Sequence, residues 1–261
     1  MLAVVALAGL LIGVALGALG AGGSILAVPA LVYLAGQPLT AAVPTALMVV
    51  GLSSAAAVAP RLRAGVVRWR VALVFGAAGV PAAFGGAALG RSLSPRLLML
   101  GFAVLMAVVA VRMFRDRAGA GGACRTTSGG VNWRTCLPSA VGTGAVVGML
   151  TGLFGVGGGF LIVPALTLLL GLDAAAAVAT SLVVIVINSA AGLVAHAGAP
   201  VDWGVTAVFA LTAAIAAVAG GRLTRRLPAK LVRRAFAVVV LLVAGGLAVA
   251  VTVAPDSLPV S

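Results

Sequence analysis

The chain contains no glutamate, four aspartates, one histidine and one tyrosine. Asp116 and Asp256 fall in polar stretches, which leaves Asp173 and Asp202 beside apolar runs. No carboxylate pair and no His–Asp–Ser set lies within an apolar stretch. General acid–base chemistry and metal-assisted hydrolysis are left almost without groups, so no catalytic residue, cofactor or resident metal is expected. Asp173 opens an apolar segment, where an acidic N-cap is ordinary. His196, near Asp202, reads as an interfacial histidine at a helix end. The two cysteines, Cys124 and Cys136, share the central hydrophilic stretch. With no second pair and no histidine nearby they do not read as a metal set. They are expected to be reduced thiols facing the cytosol.

Charge is also scarce. Only 8% of the 261 residues are charged and 63% are hydrophobic, whereas a soluble domain carries about 25% charged residues. An all-α, polytopic transmembrane bundle follows. No basic stretch precedes the first apolar run, so no cleaved signal peptide is expected. Lys and Arg outnumber Asp and Glu by 17 to 4. In a soluble protein that excess would suggest nucleic acid. Here the basic residues sit in short stretches between apolar runs, without interleaved aromatics, so they read as the positive-inside signal instead. The expected partners are the lipid bilayer and a small anionic solute, not nucleic acid; a homo-oligomer is compatible with the sequence.

The first apolar run, about residues 2–36, exceeds the ~20 residues that span a bilayer. It divides at Gly20–Gly23 into a crossing over 2–19 and a half-helix over 24–36. Further crossings are expected over 40–59, where Pro60 should stop the helix, and over 71–90 and 97–111. A Gly- and Arg-rich linker, 112–136, is placed in the cytosol. The second set of segments covers about 138–156, 160–171, 174–195, 204–221 and 235–253. The domains are thus a first repeat over 1–111, the linker, a second repeat over 137–254, and a tail over 255–261.

The two sets match residue by residue. Gly13, Gly17, Gly20, Gly22, Gly23, Pro29, Ala30 and Leu31 fall on Gly148, Gly152, Gly155, Gly157, Gly158, Pro164, Ala165 and Leu166, always 135 positions on. Gly36, Thr45 and Ser54 map onto Gly171, Thr180 and Ser189 at that offset, and Trp69 onto Trp203 at 134. The loop charges exchange between copies. Residues 61–70 carry four arginines while 196–203 carry none; residues 91–96 carry two, and 222–234 carry six Lys and Arg. The positive-inside rule then gives the halves opposite orientation, an inverted repeat with five passes each. Four full crossings with a re-entrant glycine loop would instead make the repeats parallel.

Gly13/Gly17 and Gly148/Gly152 are small-xxx-small pairs and read as tight helix packing. The clusters Gly20, Gly22, Gly23 and Gly155, Gly157, Gly158, Gly159 are denser than packing requires. Each is expected to break a helix in the membrane and free backbone amides. An anion at the N-terminus of the resuming helix would satisfy them. Both stretches, with Ser24, are expected to form one substrate site. Thr45, Thr180, Ser181 and Asn188 on the third segments of the halves are added to it. Asn188 in mid-membrane should face the protein interior, on the same helix face as Ser181.

The chain resembles the TauE/SafE family of sulfite exporters. The second half has Gly155-Val-Gly-Gly-Gly159, Val163-Pro164, Thr180-Ser181-Leu182 and Val201-Asp202-Trp203. The first has Gly20-Ala-Gly-Gly-Ser24, Val28-Pro29, Thr45-Ala46-Leu47 and Val67-Arg68-Trp69. Ser24, Ala46 and Arg68 depart from the family pattern. The resemblance implies export of sulfite, a sulfonate or a related organic anion across the plasma membrane. An anion channel and a non-transporting scaffold or assembly factor are the alternatives. A uniport-like exporter, alternating access around the two half-helix N-termini, is the expected mechanism.

Overall fold

The fold is taken from a computed structural model. It describes residues 2–20, 24–33, 35–90, 92–115, 124, 133–154, 159–195, 198 and 201–224, with 231, 234, 237, 238, 240–242 and 245 beyond them. All the elements in this set are helical. They are α1 (Leu2–Leu19), α2 (Ser24–Tyr33), α3 (Leu39–Arg63), α4 (Trp69–Gly90) and α5 (Pro95–Arg115), then α6 (Trp133–Phe154), α7 (Gly159–Pro164), a π-helical turn (Ala165–Leu169), α8 (Ala174–Ala195) and α9 (Trp203–Thr224). Five of them, α3, α4, α6, α8 and α9, are long and apolar enough to cross a membrane. Shorter apolar stretches lie in α1 and α5. The apolar segment expected over 235–253 is only sparsely covered by the described residues.

Several boundaries differ from the sequence reading. Pro60 does not stop α3, which contains both Pro44 and Pro60 and runs to Arg63. Proline removes one helical donor and crowds the preceding turn. Here Arg61 reinforces the last turn, its Nη1 donating to the Ala57 carbonyl at 2.6 Å. The linker expected over 112–136 is shorter than expected, because α5 extends to Arg115 and α6 begins at Trp133. The cysteines are not reduced thiols. Cys124 and Cys136 are joined by a disulfide, and both are buried.

Glycines set which helices touch. Along α6, Gly144, Gly148 and Gly152 lie against the backbone of Phe75, Gly79 and Ala83 in α4. Along α1, Gly9, Gly13 and Gly17 lie against Phe209, Ala213 and Ala217 in α9. In each pair the numbers rise together, so the two helices run the same way. The absence of side chains lets backbones approach closely, and dispersion between them replaces the hydrophobic drive that lipid cannot supply. The pairs exchange partners: the helix that opens each half packs on the fourth helix of the other half.

Between these pairs stand α3 and α8, the most buried of the five long helices. About 61% and 56% of their most apolar stretches are buried, against 28–39% for α4, α6 and α9. Gly51 faces Ser189 and Leu47 faces Gly192, so α3 and α8 run oppositely. The Arg68 amide donates to Thr180 Oγ1 at 3.1 Å, joining the starts of α4 and α8. Arg61 reaches Gly17 and lies against Gly221, joining the ends of α3, α1 and α9. Arg70 stacks over Trp133 at 5.5 Å, bringing in the start of α6. These ends define one face of the bundle. Arg61, Arg63, Arg68, Arg70, Arg134 and Arg222 all lie on it.

Candidate substrate site

Gly20 follows α1 with φ +77°, in the left-handed region that glycine alone enters without strain. A Cβ there would stand 2.8 Å from Val178 Cγ1 and 3.1 Å from Ser181 Oγ. Ser181 is fully buried and its hydroxyl has two acceptors, the Val178 carbonyl at 2.9 Å and the Gly20 carbonyl at 3.2 Å. Gly20 and the second half's serine are therefore in contact. Thr180, one residue earlier, is also buried and accepts the Arg68 amide.

Thr45 lies elsewhere. It is buried, with its hydroxyl 3.4 Å from that of Thr206, which donates to the Asp202 carbonyl at 2.6 Å. Because Leu47 packs on Gly192, Thr45 stands beside the far end of α8. Ser181 is about thirteen residues back along that helix, about 20 Å away at 1.5 Å rise per residue. The predicted residues thus fall at two depths, Gly20, Thr180 and Ser181 toward the arginine face and Thr45 toward the opposite one. Gly159 opens α7 and is buried, and Ser24 opens α2. Gly22, Gly23, Gly155, Gly157 and Gly158 lie outside the described residues, as does His196.

Asn188 lies between the two depths. It lines a half-open cavity of about 260 Å³ bordered by α2, α3, α4, α6 and α8. Its neighbours there are mostly hydrocarbon, including Val28, Leu47, Val50 and Phe84, with Thr151 and Ser189 supplying hydroxyls. The Asn188 Oδ1 is buried without a hydrogen-bond partner, and so is Ser54 Oγ in the fully buried Ser54 of α3. A buried polar atom without a partner costs about 1–3 kcal/mol. Thr151 is not so exposed to that cost, since it donates back to the Val147 carbonyl at 2.7 Å. Ser54, Ser189, Thr151 and Thr206 were not among the predicted site residues. The offset of 135 could have raised the first two, because Ser53 and Ser54 fall on Asn188 and Ser189.

The charges around this core have structural partners. Asp173 Oδ2 accepts the Ala176 amide at 3.2 Å and Asp202 Oδ1 accepts the Val205 amide at 3.1 Å. They cap the starts of α8 and α9, so Asp173 is the N-cap expected from sequence. Arg61 is buried, and its Nη2 donates to the Gly17 carbonyl at 2.8 Å. A cation there complements the negative end of α1 and lies three residues from Gly20. No group of three or more His, Cys, Asp or Glu that could hold a metal ion occurs among the described residues.

A helical bundle of apolar segments around a small, mostly uncharged cavity belongs to the integral membrane proteins. The family profile described as "Sulfite exporter TauE/SafE" matches residues 5–247. The chain belongs to the TauE/SafE family. It is 39% identical over 160 residues to a "Probable membrane transporter protein" of Xylella fastidiosa strain Temecula1 / ATCC 700964, covering 60% of this chain and 59% of that protein. A protein of the same description from strain 9a5c matches equally. The chain therefore spans about three fifths of the length of these relatives. It is 29% identical over 233 residues to the "Probable membrane transporter protein YunE" of Bacillus subtilis strain 168, covering 82% of this chain and 84% of that one. No solved structure matches it.

Proposed function

We propose that the protein exports a small organic anion, a sulfonate or a related acid, across the plasma membrane. The two halves act as inverted repeats whose helices break at the glycine clusters. The observation that carries this reading is the chemistry of the core. Around α3 and α8 the described buried polar groups are hydroxyls, the carboxamides of Gln37 and Asn188 and the guanidinium of Arg61, while Asp173 and Asp202 are engaged at helix starts. Such a lining offers donors to an anion and no carboxylate to a cation. The repeat reading is supported by the exchange of α1 and α6 between the halves and by the opposed directions of α3 and α8. It is also supported by the exposed Trp69 and Trp203. They begin corresponding helices that run in opposite directions, so the two indoles mark opposite membrane interfaces.

Two polar clusters about 20 Å apart, with Asn188 between them, fit a relay better than a single central site. The hydrocarbon walls of the Asn188 cavity favour a solute with a carbon body over inorganic sulfite. Export needs no coupling ion. One charge crossing 100 mV gains ~2.3 kcal/mol, and at ~1.4 kcal/mol per tenfold an inside-negative cell holds an outward gradient of about fifty-fold. Purified protein in vesicles tests this with labelled ethanesulfonate and sulfite under an imposed potential. Ethanesulfonate should leave faster when the interior is negative, and Asn188→Leu should slow it. Exit that ignores the potential would refute the uncoupled mechanism. Faster exit of sulfite than of ethanesulfonate would refute the choice of substrate class.

A further inference from the structure

The disulfide has a second attachment. The Cys124 amide donates to the carbonyl of Leu170 at 3.1 Å. Leu170 is buried and follows the π-helical turn Ala165–Leu169 that continues α7. Cys136 belongs to the first turns of α6. One covalent bond and one hydrogen bond therefore tie the start of α6, the chain at Cys124 and the end of the α7–π segment together.

The first half has the same segment end without the tie. There the Ala35 and Gln37 amides reach back to the carbonyls of Ala30 and Leu31, as those of Leu170 and Leu172 reach Ala165 and Leu166. Both turns are followed or closed by a left-handed glycine, Gly36 or Gly171. No cysteine occurs in the first half or beyond Cys136. The tie thus acts on one of two otherwise matching elements. π-Helical turns recur at functional sites, and the one tied here ends the short helix that Gly159 opens.

Its location adds the chemistry. The tie is on the arginine face, since α6 begins there and Leu170 stands four residues before the start of α8. The positive-inside rule turns that face to the cytosol. Cytosolic thiols are kept reduced, and the disulfides found there are chiefly transient or redox-sensing. We propose that Cys124–Cys136 is a redox-controlled tie on the second half's short helix, and that the oxidised protein is the slower transporter. This rests on the transport reading above.

The chemistry needs a dithiol reductant. One of its thiolates attacks a sulfur of the Cys124–Cys136 bond, forming a mixed disulfide and releasing the other cysteine as a thiolate. The second thiol of the reductant then displaces the remaining cysteine. The cysteines gain two electrons and two protons, and the reductant leaves as its cyclic disulfide. Cys124 and Cys136 are 2% and 0% exposed, so the attack waits on local opening and is slow. Once open, Cys124 is no longer held beside the Leu170 carbonyl.

The full chain in vesicles tests this, with oxidation state read by alkylation and mass spectrometry before each assay. Dithiothreitol should raise amide exchange over residues 159–170 and speed ethanesulfonate exit several-fold. The variant carrying Cys124→Ser and Cys136→Ser should match the reduced protein in both readings and ignore dithiothreitol. Purified, air-oxidised protein with two free thiols would overturn the proposal. So would equal exchange over 159–170 in the oxidised and reduced forms, or equal transport despite a demonstrated change of state. If reduction changes exchange while no anion moves in either form, the tie stands and the transport reading falls.

Discussion

Gly142 and Gly144 lie two residues apart on α6, and alanine should act oppositely at them. A Cβ on Gly144 would stand 2.7 Å from the Phe75 carbonyl oxygen and 3.0 Å from its Cα. Ordinary contact begins at 3.4 Å, so α4 and α6 would have to separate by about 0.7 Å at that level. Opening a packed surface by 0.5–1 Å forfeits about a quarter to a half of each dispersion contact along it. Overpacking of this kind costs about 1–3 kcal/mol. Gly142 meets nothing within 4 Å. Alanine there removes only the helix-interior penalty of glycine, a gain of about 0.5–1 kcal/mol. Gly144→Ala should therefore melt well below the parent and Gly142→Ala at or above it. Fluorescence-detected size exclusion after heating, in one detergent, measures both. Gly148 and Gly152 approach the α4 backbone more closely still, so Gly152→Ala should be worse than Gly144→Ala. The pair Gly144→Ala with Gly148→Ala should cost less than the sum, since one separation relieves both clashes. If Gly144→Ala melts with Gly142→Ala, close backbone contact between α4 and α6 is not what holds them together.

Replacing Arg61 by methionine keeps the bulk but removes the side-chain donor to the Gly17 carbonyl and the second, side-chain bond to the Ala57 carbonyl. A loss of about 1–3 kcal/mol is expected by the same melting assay, while the exposed Arg63→Met should stay within about 0.5 kcal/mol. Asp173→Ala and Asp202→Ala should each cost about 1 kcal/mol as lost N-caps. The pH profile of vesicle transport should be the same in both variants as in the parent; a changed profile would make either carboxylate a proton carrier.

Helices α1, α4, α8 and α9 were legible in the sequence because apolar length and Gly or Pro punctuation mark a membrane segment directly. The glycines of α1 and α6 were legible as packing surfaces because i, i+4 spacing puts them on one stripe, although which helix fills that stripe is a long-range fact. Pro60 misled, since the lost donor was visible and the support given by Arg61 was not. The cysteines misled for a related reason: spacing alone does not separate two thiols from a disulfide, and the Leu170 carbonyl that holds Cys124 lies far along the chain. Asn188 was legible as an inward-facing residue from the cost of an amide in lipid. The separation of Thr45 from Ser181 was not. Matching positions in two copies look equivalent on paper, and only the crossing of α3 over α8 at Gly51 and Gly192 shows how far apart they stand.

The exchange of opening helices between the halves bears on how the chain is made. The glycine stripe of α1 meets its partner in α9, with Gly17 against Ala217. At synthesis rates of about 5–20 residues per second, the first helix waits roughly 10–40 s in the bilayer before that partner emerges. Throughout that interval its smallest residues face lipid, or whatever insertion machinery shields them. The glycine stripes of α1 and α6 are each covered only by a helix of the other half, so biogenesis includes a late docking event between the halves.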